Sequence, residues 1–225
     1  MTRQLVIFGT TELGELAHYY FSQDPGYRIV AFTADAAYID KNHFKGLPVI
    51  PFEDIARRCP PETHDIHIAL GYTNTNAVRK ARYLKARELG YRTASHVSPR
   101  ACVAPETPVG ENTLILEGTI IQPFVRLGNN LIIWSGAHIG HHSHVEDHCF
   151  IGPQAAIAGN VHIGQQSFIG INATLRDGVK IGERCIVGAG AIILSDLEAE
   201  GVHRGHESPR LLQNILCYIH TPDTF

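Results

Sequence analysis

Histidines and carboxylates crowd into one short stretch near the middle of the chain, which reads HIGHHSHVEDH over residues 138–148. A neutral imidazole takes up a proton near physiological pH, so this composition suits general-base catalysis. Imidazoles also ligate zinc, and three of them with a water form a known catalytic centre. The candidate ligands are His138, His141, His142, His144, His148 and His162. A third interpretation is that these histidines are outward-facing polar residues without chemistry.

The elements that position this stretch follow from a six-residue period. An aliphatic residue occupies every sixth position without a miss, at Val103, Val109, Ile115, Ile121, Leu127, Ile133, Ile139, Val145, Ile151, Ile157, Ile163, Ile169, Leu175, Ile181, Val187 and Ile193. The residue four places further along each unit is small or apolar, from Thr107 to Leu197. This period predicts a hexapeptide-repeat β-helix, in which stacked units bury one continuous core.

The register of the repeat assigns neighbours across coils. Three hexads complete one coil, so residues 18 positions apart should stack. Gly159 is then stacked on His141, Asn160 on His142 and His162 on His144. A histidine base beside an exposed glycine N–H, which can hold a developing oxyanion, provides the two groups that acyl transfer requires. We therefore predict a reaction centre at His141 and Gly159.

The first hundred residues alternate strand and helix patterns. QLVIF, RIVAFT and DIHIAL indicate strands, and helical patterns follow the first and the last of them, which predicts a small parallel sheet. Ligands of such sheets lie beyond the carboxyl ends of the strands, which here places one crevice at Gly9, Thr10, Thr11, Asp35, Gly71 and Tyr72. GTTELG lacks the spacing of the dinucleotide fingerprint, so a nicotinamide role is not supported. The alternative is that Gly9 and Gly71 only permit tight turns and that Asp35 lies in a surface turn.

Composition excludes several classes of partner. The formal net charge is -3 with charges spread along the chain, which gives no sign of nucleic-acid binding. The N-terminal apolar run is too short for a signal peptide or a membrane span, so we expect a cytoplasmic protein without membrane insertion. The cysteines lie far apart without metal spacing and are predicted to be reduced structural thiols.

Nearly the whole chain resembles the bacterial sialic-acid O-acetyltransferases and nucleotide-sugar N-acetyltransferases. The segments that carry the resemblance are LVIFGTTELGELA, IALGYTNTNAVRKARYLKARELGY, SGAHIGHHS, AIAGNVHIG and IVGAGAII. The resemblance implies an α/β Rossmann-like sugar-nucleotide-binding domain at 1–97 and a left-handed parallel β-helix acyltransferase domain at 98–197. A C-terminal extension would occupy 198–225.

The resemblance also implies roles for single residues. The family's base lies in a G-A-x-x-x-H turn, which falls on Gly136–His141, and its oxyanion donor is a glycine that falls on Gly159. Relatives commonly place a carboxylate after the base, where this chain has His142, so Glu146 and Asp147 are alternative orienting groups. A second family histidine, which touches the thioester, corresponds to Phe150.

The implied co-substrate is acetyl-CoA, and no metal is expected. Its expected contacts are Phe150, Ile171, Ala173, Gly188, Ala189 and Gly190. The usual closing motif G-x-P-A-K is altered in residues 205–210. We expect a homotrimer with acetyl-CoA between neighbouring prisms, packed through apolar residues such as Ile132, Trp134 and Phe168.

The predicted activity is N-acetylation of a nucleotide-linked amino sugar in the biosynthesis of bacterial surface glycans such as lipopolysaccharide. The alternatives are O-acetylation of a sugar or sialic acid, a zinc enzyme of the γ-carbonic-anhydrase type, and an inactive sugar-nucleotide-binding scaffold.

Overall fold

The first part of the chain forms a six-stranded sheet. The computed structural model describes residues 2–206, so most of the predicted C-terminal extension, including Cys217 and the altered closing motif beyond His206, lies outside the described residues. The sheet order is β3-β4-β2-β1-β5-β6, and only the β3–β4 pair is antiparallel. The strands are β1 Arg3–Phe8, β2 Tyr27–Ala34, β3 His43–Phe44, β4 Leu47–Pro51, β5 His64–Ile68 and β6 Arg92–Thr93.

Helices connect the strands of this sheet. They are α1 Glu12–Phe21, α2 Ile55–Arg58 and α3 Ala77–Glu88, with short 3₁₀ turns at Ala36–Tyr38 and Phe52–Asp54. Every residue of β5 is buried, as expected for a central parallel strand covered on both faces. The carboxyl ends of β1, β2 and β5 therefore meet at one edge of the sheet, where the turns that follow them form the predicted crevice.

The second part of the chain is a three-sided prism of two-residue strands. Face 1 holds β8 Cys102–Val103, β10 Ile120–Ile121, β13 His138–Ile139, β16 Ala156–Ile157, β19 Thr174–Leu175 and β22 Ile192–Ile193. Face 2 holds β11 Arg126–Leu127, β14 His144–Val145, β17 His162–Ile163 and β20 Lys180–Ile181. Face 3 holds β7 His96–Val97, β9 Leu114–Ile115, β12 Ile132–Ile133, β15 Phe150–Ile151, β18 Phe168–Ile169, β21 Ile186–Val187 and β23 Val202–His203.

Both predicted inward columns of the prism are buried. The aliphatic column and the small column, which includes Ala155, Ala173 and Cys185, join in one apolar cluster from Ile115 to Ile193. Strands stack in parallel with an 18-residue register, such as His144 against His162. The prediction of a hexapeptide β-helix is confirmed. Its strands run from His96 to His203, slightly beyond the predicted range 98–197 on both sides.

One buried arginine joins the two parts of the chain. Arg79 of α3 is completely buried and donates hydrogen bonds to the carbonyl oxygens of Asn130, His148 and Cys149 on the prism and of Gly71 beside the crevice. Burial lowers the pKa of its guanidinium to about 9, which leaves it protonated at neutral pH. The cation therefore holds the crevice turn and the prism in a fixed relation.

The first domain covers part of face 3 of the prism. Ile132 is 2% exposed, and the rings of Phe150 and Phe168 lie 5.0 and 4.5 Å from that of Tyr72. Trp134 packs with Tyr20, Leu114 and Leu116. Ile132 is therefore not available for the expected subunit interface, whereas Trp134 and Phe168 are half-buried and use only part of their apolar surface within the chain.

Two further features of the described residues bear on the earlier expectations. Within residues 2–206 no helix is long and apolar enough to cross a lipid bilayer. Cys59, Cys149 and Cys185 are buried free thiols, and Cys102 is free and exposed.

Candidate active site

His141 lies at the edge where face 1 turns into face 2, and its ring lies against Gly159 of the next coil. A β-carbon built on Gly159 would stand 2.6 Å from Cε1 and 2.8 Å from Nε2 of His141. The Asn160 N–H donates to the His141 carbonyl oxygen at 2.8 Å, which fixes the two coils in register. The stacking inferred from the period thus brings these two residues together.

Side chains cap some backbone amides at the edges of the prism, and the amide of Gly159 is not among them. At the edge between faces 2 and 3, side chains of the next coil cap the N–H of Glu111 and of Asn129 at 2.9 and 2.6 Å. Within residues 2–206 the Gly159 N–H donates to no backbone oxygen. A donor without a backbone acceptor, beside the imidazole, is the arrangement that an oxyanion requires.

His142 takes the position that the resemblance assigns to an orienting group. Its Nδ1 lies 3.2 Å from Nδ1 of His141, and its ring packs 4.7 Å from that of Phe124. The backbone of His142 has φ +59°, a left-handed conformation shared by the stacked turn residues Phe124 and Asn160. One of the two Nδ1 atoms must carry the hydrogen in this contact.

The alternative orienting groups are engaged elsewhere. Glu146 accepts hydrogen bonds from His162 Nε2 at 2.7 Å and from the Gln165 N–H at 3.0 Å. Asp147 accepts one from the Asn129 N–H at 2.6 Å. Glu146 and Asp147 therefore do not orient His141 in this chain.

Two neighbours of the candidate base His141 and of Gly159 were not predicted from the sequence. The Gln122 Oε1 accepts a hydrogen bond from the His141 N–H at 2.9 Å, and Asp177 Oδ1 lies 2.9 Å from the β-carbon position built on Gly159. Asp177 follows Gly159 by one more coil, so the same 18-residue count could have found it. Gln122 lies one residue away from the stacked position and had no such signal.

A cleft of about 540 Å³ lies at the carboxyl end of the first sheet, lined by Phe8, Gly9, Thr10, Thr11, Ala34, Asp35, Tyr38, Leu70, Gly71, Thr73 and Val78. Five of the six predicted crevice residues therefore meet there. Asp35 pairs with Arg82 at 2.6 Å, which neutralises much of the carboxylate's charge. Tyr38 is 77% exposed at the rim and offers a flat ring for stacking.

Tyr72 belongs to a neighbouring apolar pocket that shares Gly71 with the cleft. This pocket, about 380 Å³, is lined by Glu12, Leu13, Leu16, Gly71, Tyr72, Trp134 and Phe150. Phe150, which replaces the family's thioester histidine, stacks on Phe168 with ring centroids 5.2 Å apart. The wall of this pocket is accordingly aromatic where the resemblance implies an imidazole.

The predicted coenzyme A residues lie along the edge between faces 3 and 1. Ile171 is 46% exposed, and Ala189 and Gly190 are exposed. Ala173 is completely buried in the small inward column, so its side chain cannot contact a ligand at the surface. This corrects the expectation for Ala173, which followed from the resemblance and not from the register.

The cleft and the base lie on opposite sides of the prism. The first domain covers part of face 3 and the adjoining edge at His148, whereas His141 occupies the edge opposite face 3. One chain therefore cannot present the cleft and His141 to a single small substrate.

The remaining histidines do not converge on one point. His138 lies on face 1, His144 and His162 on face 2, and His148 is buried at the edge between faces 2 and 3. Burial lowers the pKa of His148 to about 4, and its Nδ1 contacts Asn130 Nδ2 at 2.9 Å. Among residues 2–206 the one group of three possible metal ligands is His144, Glu146 and His162, which excludes His141.

Comparison with known proteins adds to this geometry. Residues 160–195 match the family described as bacterial transferase hexapeptide (six repeats). These residues lie in the prism, within its hexapeptide repeat. The predicted resemblance to the hexapeptide-repeat transferases is confirmed, together with the left-handed β-helix.

Several solved structures resemble this chain over nearly its full length. PerB from Caulobacter crescentus, in complex with CoA and GDP-perosamine, is 27% identical, with a TM-score of 0.81 over 90% of this chain and 94% of that one. The acetyltransferase domain of PglB from Neisseria gonorrhoeae is 26% identical, with a TM-score of 0.82 over 91% and 97%. WeeI from Acinetobacter baumannii, at 21% identity and a TM-score of 0.73 over 89% and 96%, shares the fold. No curated protein is significantly similar in sequence.

Proposed function

We propose that this protein is an acyltransferase that moves the acetyl group of acetyl-CoA to the amino group of a nucleotide-linked sugar. The observation that carries the proposal is the ring of His141 against Gly159, with its Nδ1 held by His142 and its Nε2 facing the glycine. The similarity to PerB, which binds CoA and GDP-perosamine, supports an amino-sugar nucleotide as acceptor.

The proton positions follow from the base's task. To accept a proton at Nε2, His141 must carry its hydrogen on Nδ1 and donate it to His142 Nδ1, so that the hydrogen of His142 is on Nε2. The acceptor nitrogen attacks the thioester carbonyl carbon while Nε2 takes its proton. The oxyanion that forms accepts from the Gly159 N–H. The carbon–sulfur bond then breaks, and the CoA sulfur leaves with the proton that His141 returns.

The first domain supplies the acceptor site in this proposal. We assign it as a Rossmann-like domain that holds the nucleotide in the cleft at Gly9, Thr10, Thr11, Asp35 and Gly71, with Tyr72 at the sugar end. The crevice position beyond the strand carboxyl ends supports this assignment. The amino sugar would serve the biosynthesis of a bacterial surface glycan.

A homotrimer completes the site in this proposal. Because His141 faces away from the cleft of its own chain, a neighbouring subunit must bring its own base to that cleft. Exposed apolar side chains surround the His141 edge and face 1, among them Phe124, Ile120, Ile192 and Leu194. Burying this surface in a subunit interface would stabilise the assembly. Acetyl-CoA would then lie between neighbouring prisms along Ile171, Gly188, Ala189 and Gly190.

Release of CoA with GDP-perosamine and related nucleotide-linked amino sugars as acceptors tests the proposal. His141→Asn should lower kcat by about 10²–10⁴, the usual value of a general base, with an unchanged melting temperature because the ring is exposed. His144→Asn, three residues away on face 2, is the control and should retain most of the activity. Full activity of the His141 variant would overturn the assignment, as would activity that disappears on dialysis against a chelator.

A further inference from the structure

Face 2 of the prism carries a cluster of three side chains that can ligate a metal ion. His144 of β14 and His162 of β17 are direct partners in the parallel ladder, and their rings stack 5.2 Å apart at an angle of 7°. Glu146 Oε1 lies 2.7 Å from His162 Nε2. One ligand atom from each residue lies within 4.8 Å of the other two.

We propose that His144, Glu146 and His162 form a binding site for a divalent transition-metal ion such as Zn²⁺. Two imidazoles and one carboxylate suit zinc, nickel and copper, whereas magnesium and calcium prefer oxygen ligands. The site departs from the expectation that the protein has no metal. It is independent of the proposed acetyl transfer, because the base lies at a different position of the prism and needs no metal.

The distances fit such an ion after small side-chain rotations. Zinc binds nitrogen and oxygen at about 2.0–2.2 Å, so two ligands of one tetrahedral ion stand about 3.4 Å apart. The ligand atoms lie at most 4.8 Å apart, and movements of roughly 1 Å by rotation of the half-buried side chains would bring them to that distance. The Glu146–His162 hydrogen bond would open to admit the ion between the two groups.

The surroundings hold the ligands in place. Both histidines stand on paired strands of a continuous ladder, and the second carboxylate oxygen of Glu146 accepts from the Gln165 N–H at 3.0 Å. Such outer hydrogen bonds to a ligating carboxylate are typical of metal sites. An adjoining groove of about 440 Å³, which includes Glu146, His162 and Glu183, leaves room for a water as fourth ligand.

The neighbouring charges set the strength of the site. Arg126 and Lys180 occupy the rungs on either side of the histidine pair, and their positive charges oppose a cation. Asp147, Glu183 and Asp196 add negative charge close to the same face. With one carboxylate among the ligands, we expect reversible binding that links the two coils and not a permanently held ion.

Isothermal titration of the full chain, freed of metal by chelator dialysis, tests the site with ZnCl₂ and, as a comparison, MgCl₂. Wild type should bind zinc and not magnesium. His162→Gln and Glu146→Gln should each weaken zinc binding at this site by more than the roughly 10–100-fold that loss of an outer-shell partner costs. His138→Gln, on face 1, is the matched control and should bind zinc as wild type does.

Thermal melting separates a lost ligand from a lost fold. Without metal all variants should melt as wild type does, and zinc should raise the melting temperature of wild type and His138→Gln only. If His162→Gln melts early, His144→Gln provides the same test from the adjacent strand. Absence of zinc binding to wild type, or equal affinity in the His162, His144 or Glu146 variants, would overturn the proposal.

Discussion

Gly159→Ala tests the contact between base and glycine without touching either functional atom. The added methyl would stand 2.6 Å from Cε1 and 2.8 Å from Nε2 of His141, so the ring must move by about 1 Å to reach ordinary contact distance. A misplacement of that size costs about 10²-fold in rate when a catalytic group must meet its substrate precisely. We expect kcat for acetyl transfer to fall by about that factor, with little change in KM for acetyl-CoA.

The fold should tolerate this substitution, because the methyl meets only side-chain atoms, and a chain with alanine for glycine is often slightly more stable. Gly152→Ala is the contrast: its methyl would stand 2.8 Å from backbone atoms of Gly170 and Ile171, so it should lower the melting temperature. Steady-state kinetics and melting curves of both variants distinguish the two effects. If Gly159→Ala keeps more than about a tenth of the wild-type kcat, against the expected loss, the contact does not position the base.

Three further predictions concern the orienting histidine, the buried arginine and pH. His142→Phe keeps a ring beside Phe124 but removes the atom that accepts the hydrogen bond from His141. We expect kcat to fall about 10–100-fold at constant KM, because a hydrogen bond to a charged group contributes a free energy of that size. An unchanged kcat would mean that His142 does not orient the base. Arg79→Met leaves buried carbonyl oxygens without a donor and should lower the free energy of unfolding in urea by about 3 kcal/mol. Lys85→Met, at an exposed position of the same helix, is the control and should lower it by less than about 0.5 kcal/mol. Equal losses in the two variants would contradict the role of Arg79. Burial lowers the pKa of His67 and His148 from 6.5 to about 4, so between these pH values the unfolded chain binds more protons than the folded chain. The contribution of these histidines to the free energy of unfolding should therefore be constant above pH 6.5 and fall as pH decreases towards 4, by about 3 kcal/mol for His67 alone. Equal free energies of unfolding in urea at pH 7 and pH 4.5 would refute this.

The prism and the pairing of His141 with Gly159 could be predicted from the sequence because residues of a solenoid stack at a fixed period. The same 18-residue count also places Asp177 next to Gly159. The contact of His142 with His141, and that of Glu146 with His162, could not be found in this way. Both depend on side-chain rotamers, which the period of the backbone does not specify.

The docking of the first domain on the prism could also not be predicted from the sequence pattern. The basic sequence of α3 predicts solvent-exposed arginines, whereas Arg79 is buried because carbonyl oxygens of the prism edge accept its hydrogen bonds. The same docking accounts for the burial of Ile132 and the partial burial of Trp134 and Phe168. Their apolar surface was visible in the sequence, but the surface that covers it belongs to a distant segment of the same chain.

The stacking of His141 on Gly159 also restricts how the length of this chain can change during evolution. Inserting one hexad between the two residues would rotate Gly159 by a third of a turn to another edge of the prism, and inserting a whole coil would place a different residue beside the imidazole. Both changes keep the apolar columns intact, since each column repeats with every hexad. The length of the segment from 141 to 159 is therefore fixed by this pair as well as by the docking of the first domain on Phe150 and Phe168. Coils added after Gly159 in steps of 18 residues leave the pair undisturbed.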